Sequence, residues 1–444
     1  MNQTINRNYL LTILSIVLAF SSVDRAALGL FLQDIKIDLG LSDTQLGLLT
    51  GIAFALFYSV MGIPIARWAD RGNRVFIISI TTAVWSAAVV LCGAAGNFIQ
   101  LLLIRVCVAV GEAGCIPPAH SLIADCFSRA ERARASARYL LGGPLSVLIG
   151  YFIAGWLNKF WGWRWTFFLL GLPGLGVAAL AWYTLKEPRR ERQLYATISD
   201  GERDASRDAA GPGRPSAWEV CRTLCSNSTF RHLLLCFSVM SFFAYGIGQW
   251  QAAFFVRSYG LDTGTLGTWF TVIYGLCGLL GTYWGGELAS RFAANDERFQ
   301  LRVMAVVYVG FGVVSALIYV STSQYVAFGL MGLVTLVGMG TYGPLFATIQ
   351  TLVPGRMRAM SIAVLYLFAN LIGMGLGPLA AGILSDAFQP VFGSESLRYS
   401  LLAFCPGYLW GGVHLWLASR TVTRDLEAAR LGGGDLRHGA EAAA

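Results

Sequence analysis

Four ionisable side chains lie within otherwise apolar stretches of the sequence: Asp24, Arg25, Arg105 and Glu112. A charge at the centre of a lipid bilayer costs at least ~2.5–3.5 kcal/mol, so such residues are expected to face a protein cavity and compensate one another. Two carboxylates beside two guanidinium groups could load and unload a proton when an arginine moves between conformations. The alternative is a static network of paired charges, but buried pairs are not reliably stabilising, which leaves their cost unexplained.

The spacing of these residues brings them to similar depths in two antiparallel helices. At 1.5 Å per residue, Asp24 would lie ~12 Å and Arg105 ~10 Å below the same membrane surface. Glu112 follows Arg105 by seven residues, so it shares a helix face and lies two turns deeper. We predict that Glu112 is the first candidate for carrying a proton and Asp24 the second. Arg25 and Arg105 would bind substrate or compensate charge.

The elements that must position these residues follow from composition. Of 444 residues, 55% are hydrophobic and 13% are charged, whereas soluble domains have about 25% charged residues. A soluble enzyme, a disordered protein and a nucleic-acid binder are therefore excluded. Apolar runs of ~20 residues predict an all-α membrane protein with twelve transmembrane helices. We place helices 1 to 12 at 9–33, 44–66, 75–95, 99–122, 136–157, 165–185, 231–256, 265–286, 302–321, 324–350, 361–384 and 398–419.

The placement of Lys and Arg predicts the orientation of these helices. With both termini in the cytoplasm, 26 basic residues fall on the inner side and 5 on the outer side. This asymmetry is the positive-inside pattern of a multi-pass protein of the bacterial inner membrane. The first apolar stretch is too long for a signal peptide and carries Asp24 and Arg25, so we expect it to be retained as a helix.

The chain divides into two halves that repeat. A polar segment, 186–230, separates six predicted helices in 1–185 from six in 231–420, and a cytoplasmic tail, 421–444, follows. The segment is typical of a flexible linker, and its end, near 216–230, could alternatively form an interfacial helix. Arg71 and Arg291 are separated by the same 220 positions as Ala66 and Gly286 at the inner ends of helices 2 and 8. This arrangement is typical of a transporter built from two pseudo-symmetric six-helix bundles.

The loop between helices 2 and 3 resembles the signature loop of the major facilitator superfamily. Asp70, Arg71 and Arg74 match that pattern, whereas the second copy has Ser290 where the acid would be. A narrower resemblance, to bacterial members of the spinster-like branch, covers helices 1 to 4. It rests on Ser22-Val23-Asp24-Arg25, Leu41-Ser42-Asp43-Thr44-Gln45-Leu46-Gly47, Ala69-Asp70-Arg71-Gly72-Asn73-Arg74, and Arg105 followed by Gly111-Glu112-Ala113.

The resemblance implies a proton-coupled secondary transporter of amphipathic lysolipid or sphingoid-like substrates, acting by alternating access. It also implies that Asp70, Arg71 and Arg74 form a cytoplasmic latch between the bundles; the alternative is that they only set the topology. A transporter of polar organic anions or drug-like solutes, and a membrane receptor that binds without transport, remain alternatives. The repeat with its central linker disfavours a membrane-embedded enzyme.

Further side chains in the second half could line a cavity, although each alone is more often a packing residue. These candidates are Gln249, Trp250, Tyr342 and Asn370. We expect no cofactor and no metal, since Cys221 and Cys225 lack a matching His or Cys pair and no nucleotide-binding loop occurs. The expected partners are a small amphipathic or anionic substrate, protons and membrane lipids, with the protein acting as a monomer.

Overall fold

A computed structural model describes residues 6–128, 131–188, 217–292, 296–353 and 357–441. These residues are helical almost throughout and include no strand. Ten helical stretches are long and apolar enough to cross a membrane, and two of them, Arg134–Thr184 and Met360–Glu427, are 51 and 68 residues long. Each of these two contains two predicted helices. Every predicted transmembrane helix is therefore found in helical structure, and the all-α fold is confirmed.

The first half has two broken helices among its six. Its elements are Arg7–Leu39 (helix 1), Asp43–Thr50 and Ile52–Arg71 (helix 2), Arg74–Cys92 (helix 3), Phe98–Glu112 and Ile116–Cys126 (helix 4), a short helix at Arg132–Leu140, and Gly142–Thr184, which contains helices 5 and 6. The breaks fall at Gly51 in helix 2 and at 113–115 in helix 4.

The second half has π-helical turns inside two of its helices. Its elements are Ser228–Tyr259 (helix 7), Thr263–Phe270, Thr271–Cys277 and Gly278–Phe292 (helix 8), Glu297–Val320 (helix 9), Gln324–Thr351 (helix 10), Arg358–Phe368, Ala369–Leu376 and Gly377–Phe392 (helix 11), and Ser396–Phe404 with Gly407–Glu441 (helix 12). The π-helical segments are Thr271–Cys277 and Ala369–Leu376. Such turns are rare and often occur at functional sites.

Glycines with positive φ reverse the chain at four places on one face of the molecule. Gly40 (φ 64°) and Gly260 (φ 67°) end helices 1 and 7, while Gly162 (φ 77°) and Gly393 (φ 56°) separate helices 5 from 6 and 11 from 12. Glycine adopts this backbone conformation without the strain that a side chain would add. The matched positions in the two halves agree with an internal repeat. We call this the outer face and the opposite one the inner face, following the predicted topology.

The two halves meet mainly near the outer face. Helix 2 packs against helix 11, helix 5 against helix 8, and helix 1 against helix 7. By contrast, the main packing partners of the inner segments Gly278–Phe292 and Arg358–Phe368, as far as the structure describes them, lie within the second half or its preceding linker helix. The halves are thus joined at the outer face and separate toward the inner face.

The linker and the tail differ in part from their predicted forms. A helix at Ala217–Ser226 lies within the segment near 216–230 for which an interfacial helix was one alternative, while residues 189–216 lie outside the described residues. The predicted tail boundary at residue 420 falls inside a helix that continues to Glu441. Asp425 within this continuation accepts hydrogen bonds of 2.8 Å from the backbone and hydroxyl of Thr229, which fastens it to the start of helix 7.

Candidate functional site

A break in helix 4 sets the position of Glu112. The first segment of the helix ends at Glu112, and the next begins at Ile116 with prolines in its first turn. Because proline has no backbone N–H, the hydrogen-bond ladder cannot run through this point. Gly114 holds the break against helix 3, since a Cβ there would lie only 2.4 Å from the Thr81 side chain. Glu112 therefore lies at a helix C-terminus, whose partial negative charge disfavours a carboxylate.

Two ion pairs join helices 1 and 4. The Arg105 guanidinium donates to a carboxylate oxygen of Asp24 at 2.7 Å, and both side chains are 2% exposed. Arg25 lies 2.9 Å from Glu112, whose side chain is 1% exposed. The four side chains, hereafter the charge cluster, have no net charge when both acids are ionised. Their pairing compensates the cost of charge in the membrane.

The Phe54 ring of helix 2 lies between the two guanidinium groups. The Arg25 and Arg105 guanidinium carbons are 5.1 Å and 5.3 Å from its centroid. Phe54 is 1% exposed and stacks on Tyr58, whose ring also receives Arg25 at 5.5 Å. Cations near an aromatic face are attracted by the ring quadrupole. This ring therefore lies against both arginines of the charge cluster, and nothing in the sequence pattern of helix 2 distinguishes it from an ordinary core residue.

The carboxyl groups of Asp24 and Glu112 lie near enough to each other to interact electrostatically. Oε1 of Glu112 and Oδ1 of Asp24 are buried without a hydrogen-bond donor, whereas Oε2 of Glu112 faces the Arg25 guanidinium. Two adjacent carboxylates with vacant acceptor positions are the arrangement in which one shared proton supplies the missing donor. The charge cluster therefore has the groups needed to hold a single proton.

Arg25 is the member of the charge cluster that is open to the space between the halves. Its side chain is 36% exposed, compared with 2% for that of Arg105. Tyr58 on helix 2 and Tyr245 on helix 7 lie near its guanidinium group. An anion entering from the open side would thus meet Arg25 first.

The four cavity candidates of the second half have different surroundings. Trp250 is fully buried and donates its indole N–H to the Pro378 carbonyl at 2.9 Å, so its prediction as a cavity wall is corrected in this conformation. Gln249 packs against Gly29 of helix 1, across the two halves. Tyr342 is 39% exposed. Asn370 is half-buried in the π-helical turn of helix 11.

The predicted latch residues lie at the inner end of the first half. Asp70 and Arg71 are exposed where helix 2 ends. Arg74 is instead fully buried; it pairs with Glu187, and with Asp125 at 2.5 Å, both within or directly after the first half. Arg74 therefore fastens helices 3 and 4 to the start of the linker in this conformation. Residues 354–356, which precede helix 11 at the inner end of the second half, lie outside the described residues.

A polar cluster on the outer face was not identified from the sequence. Asp43 at the start of helix 2 receives two bonds of 2.7 Å from Arg257 of helix 7. Asp386 of helix 11 accepts bonds from the backbone of Asp43 at 3.0 Å and of Thr44 at 2.7 Å. These residues stand at helix ends, where charge is inexpensive and carries no signal in a single sequence. The available signal was the opposite charge of residues predicted for one face.

Glycines allow the halves to approach closely beside this cluster. A Cβ at Gly47 of helix 2 would lie 2.6 Å from the Pro378 carbonyl oxygen of helix 11. A Cβ at Gly155 of helix 5 would lie 2.4 Å from the Thr263 carbonyl oxygen of helix 8. Small residues at crossing points permit such backbone contact between membrane helices. The outer face is therefore closed by two glycine-mediated interfaces.

Comparison with known proteins agrees with this arrangement. Residues 14–378 match the family model described as Major Facilitator Superfamily. An MFS-type efflux pump of Mycolicibacterium smegmatis is 30% identical, over 94% of each chain. A probable L-galactonate transporter of Escherichia coli K12 is 26% identical, over 86% of this chain and 82% of its own.

A solved structure is also similar over nearly the whole chain. It is a bacterial homologue of the human lysosomal transporter Spinster, in an inward-facing and unoccupied conformation. It superposes with a TM-score of 0.80 and 30% identity, covering 94% of this chain and 98% of that one. Its inward-facing conformation corresponds to the closed outer face described above.

Proposed function

This chain belongs to the major facilitator superfamily, and on that premise we propose that it carries an amphipathic, lysolipid-like or sphingoid-like molecule across the bacterial inner membrane together with a proton. It would do so by alternating access, in which one bundle rocks against the other around a central site. It would act as a monomer, because both bundles belong to one chain. The observation that carries the proposal is the charge cluster.

Proton and substrate would assist each other at Arg25. Arg25 is bound to Glu112 at 2.9 Å and is also the exposed cation of the charge cluster. An anionic head group that binds Arg25 competes with Glu112 for it. Glu112, left without its cation in an apolar surrounding, then takes up a proton, shared with Asp24. Binding of either ligand therefore favours binding of the other, which is the linkage that a symporter needs.

The second half offers an aromatic wall opposite the charge cluster. Tyr245, Tyr342 and Tyr366 are 44%, 39% and 45% exposed. Tyrosine presents an apolar ring with a single polar tip. Such a wall fits a hydrocarbon chain better than it fits a molecule covered with hydroxyl groups, which supports an amphipathic substrate. The similarity to a bacterial Spinster homologue agrees with the spinster-like resemblance of the sequence, which implies the same substrate class.

The second candidate is a transporter of polar organic anions. The relative described as a probable L-galactonate transporter favours it. Arg25 could bind a carboxylate as well as a phosphate, because guanidinium groups pair with both. What separates the two candidates is the preference for a hydrocarbon chain.

The inner latch belongs to the same proposal. When the inner face closes, Asp70 at the end of helix 2 would approach the N-terminus of helix 11. A carboxylate is stabilised there by the partial positive charge of the helix end. Arg71 would stabilise the same contact, while Arg74 would hold the loop in place through Glu187.

Flux into proteoliposomes tests the proposal. Purified protein would be reconstituted, and uptake of a labelled lysophospholipid measured with and without an imposed pH gradient. Protein-free vesicles measure passive partitioning, and a labelled sugar acid serves as the alternative substrate. We expect protein-dependent lysophospholipid movement that a gradient accelerates by about tenfold and that a protonophore abolishes. Sugar-acid flux without lysophospholipid flux would establish the second candidate instead.

A further inference from the structure

One helix N-terminus in the first half is capped by a carboxylate from the second half. Asp386 of helix 11 accepts the backbone N–H of Asp43 at 3.0 Å and that of Thr44 at 2.7 Å. It also accepts the Thr44 hydroxyl at 2.6 Å. These N–H groups belong to the first turn of helix 2, where intrahelical partners are lacking. Asp386 thus completes helix 2 from the other side of the bundle interface.

The Asp43 side chain adds a second layer of contacts. Its carboxylate receives Arg257 of helix 7 at 2.7 Å and the Ser385 hydroxyl of helix 11 at 2.6 Å. Lys36 of helix 1 lies 2.6 Å from it within the same half. Asp43 is 1% exposed, so its charge depends on these partners. The backbone of Asp43 donates to Asp386 of the second half, and its side chain accepts from Arg257 and Ser385 of that same half.

These contacts depend on closure of the outer face. Gly47, one turn further along helix 2, would bring a Cβ within 2.6 Å of the Pro378 carbonyl oxygen. Helix 2 keeps its local capping box of Ser42 and Gln45 in any conformation, but the additional cap from Asp386 exists only while helices 2 and 11 touch at this end. When the halves separate here, Asp386 loses three donors together.

The antiparallel course of helices 2 and 11 gives this cap a counterpart. Helix 2 begins at the outer face and ends beside Asp70, whereas helix 11 begins at the inner face with Arg358 and passes Asp386 near its outer end. Each helix therefore carries an aspartate near its own C-terminal end, on the face where the other helix begins.

We propose that Asp386 is a positioning residue of transport: a reversible cap on helix 2 that holds the outer face closed and is exchanged for the Asp70 cap on helix 11 when the outer face opens. A cap is worth ~1 kcal/mol, which is about fivefold in a two-state population. Exchanging one cap for the other keeps the two conformations close in free energy, so that substrate and proton can decide between them. This inference rests on the alternating access of the proposed function.

Distances across the outer face test this role. Spin labels would be placed at Ile37 and Val391, which are 72% and 76% exposed at the outer ends of helices 1 and 11. We expect Asp386→Ala to raise the population with a long label distance about fivefold, and Asp70→Asn to lower it. The matched control is Asp38→Ala. It removes an outer-face ion pair with Arg164, 2.8 Å long, that lies wholly within the first half.

The outcomes separate cleanly. Unchanged distances in a folded Asp386→Ala protein, or an equal shift in Asp38→Ala, would overturn the proposal. Should Asp386→Ala not fold, Asp386→Asn is the second variant, because it retains an acceptor while losing the charge. We expect it to raise the population with a long label distance by a smaller factor. The measurement needs no substrate. A shift in label distance without any lysophospholipid flux would therefore support the role of Asp386 and contradict the proposed substrate.

Discussion

Glu112 is the residue on which proton coupling depends. The Glu112→Gln change keeps the shape of the side chain but cannot ionise. It also releases Arg25, now 2.9 Å from an amide instead of a carboxylate. We expect the rate of transport in a pH gradient to fall to the rate without a gradient, while substrate still exchanges at equilibrium. Flux in proteoliposomes at several pH gradients measures this.

Asp24→Asn is the informative comparison for that variant. It removes the anion that Arg105 contacts at 2.7 Å, with both side chains 2% exposed. Loss of one partner of a buried pair costs ~3–5 kcal/mol, so thermal stability in detergent should fall much further than in Glu112→Gln. An intact gradient response in a folded Glu112→Gln protein would assign the proton to Asp24. Intact responses in both would leave a uniporter.

Phe54 supplies a further residue-scale prediction. Leucine at this position keeps the side chain apolar but removes the ring that faces both guanidinium groups at 5.1 and 5.3 Å. Cation–π contacts are worth ~0.5–2 kcal/mol. We expect Phe54→Leu to fold, to weaken substrate binding through a more mobile Arg25, and to change the pH dependence of transport. Phe57→Leu, on the 39% exposed side of the same helix, is the control. Equal effects of the two changes would refute the special role of Phe54.

The relative positions of charged residues within the membrane were predicted well, and those of other residues were predicted poorly. Depth along two helices predicted Asp24 beside Arg105, and the structure places them in contact. Trp250 was predicted as a cavity wall but is buried, because the sequence of a transmembrane helix does not show which way an amphipathic side chain faces. Asp43 was named only as part of the motif that leads into helix 2, because a charge at a helix end carries no signal of its partner in a single sequence.

The interface between helices 2 and 11 leads to a prediction at the scale of elements. Gly47→Ala would place a methyl group 2.6 Å from the Pro378 carbonyl oxygen. Overpacking of this kind costs ~1–3 kcal/mol, and here only the outer-closed conformation bears the cost. We expect an increased outward-open population, seen as faster labelling of a cysteine at Gln33. Gly62→Ala on the same helix has no atom within 4 Å of the new Cβ. A similar change in both variants would contradict this explanation.

Element type followed from sequence, whereas interruptions of elements did not. Apolar runs of ~20 residues are sufficient to predict transmembrane helices. The break at Gly51 and the π-helical turn Ala369–Leu376 face each other across the bundle interface. Both lie at the contact between the halves, which no local sequence pattern records. The prolines after Glu112 were a signal in the sequence for the break in helix 4, but the prediction of one helix at 99–122 did not include that break.

Orientation in the membrane gives a prediction for the whole molecule. The excess of Lys and Arg predicts that the face with Ile37 lies outside the cell and the face with Tyr183 inside. Both side chains are strongly exposed, at 72% and 83%. In intact cells, a membrane-impermeant thiol reagent should label Ile37→Cys and spare Tyr183→Cys until the cells are permeabilised. The reverse pattern would invert the proposed topology.

The two-bundle architecture could be predicted because the sequence repeats, but the conformational state could not. An inward-facing and an outward-facing molecule share their helices and their hydrophobic pattern, and differ in how the halves meet. The contacts of Asp386 and Gly47 decide the state seen here. Both belong to residues whose partners lie more than three hundred positions away in the chain.

The neutrality of the charge cluster has an energetic consequence. In the empty carrier, the charges of two arginines and two ionised acids sum to zero. A monoanionic substrate that binds together with one proton leaves this net charge at zero. The membrane potential does work of about 2.3 kcal/mol per elementary charge for each 100 mV. Because no net charge crosses the membrane here, the potential does no work on the transport step. Transport of a monoanion should therefore be electroneutral and unaffected by a potassium–valinomycin voltage clamp. A zwitterionic substrate on the same machinery would carry one net positive charge inward with its proton, and its uptake would rise with a negative interior.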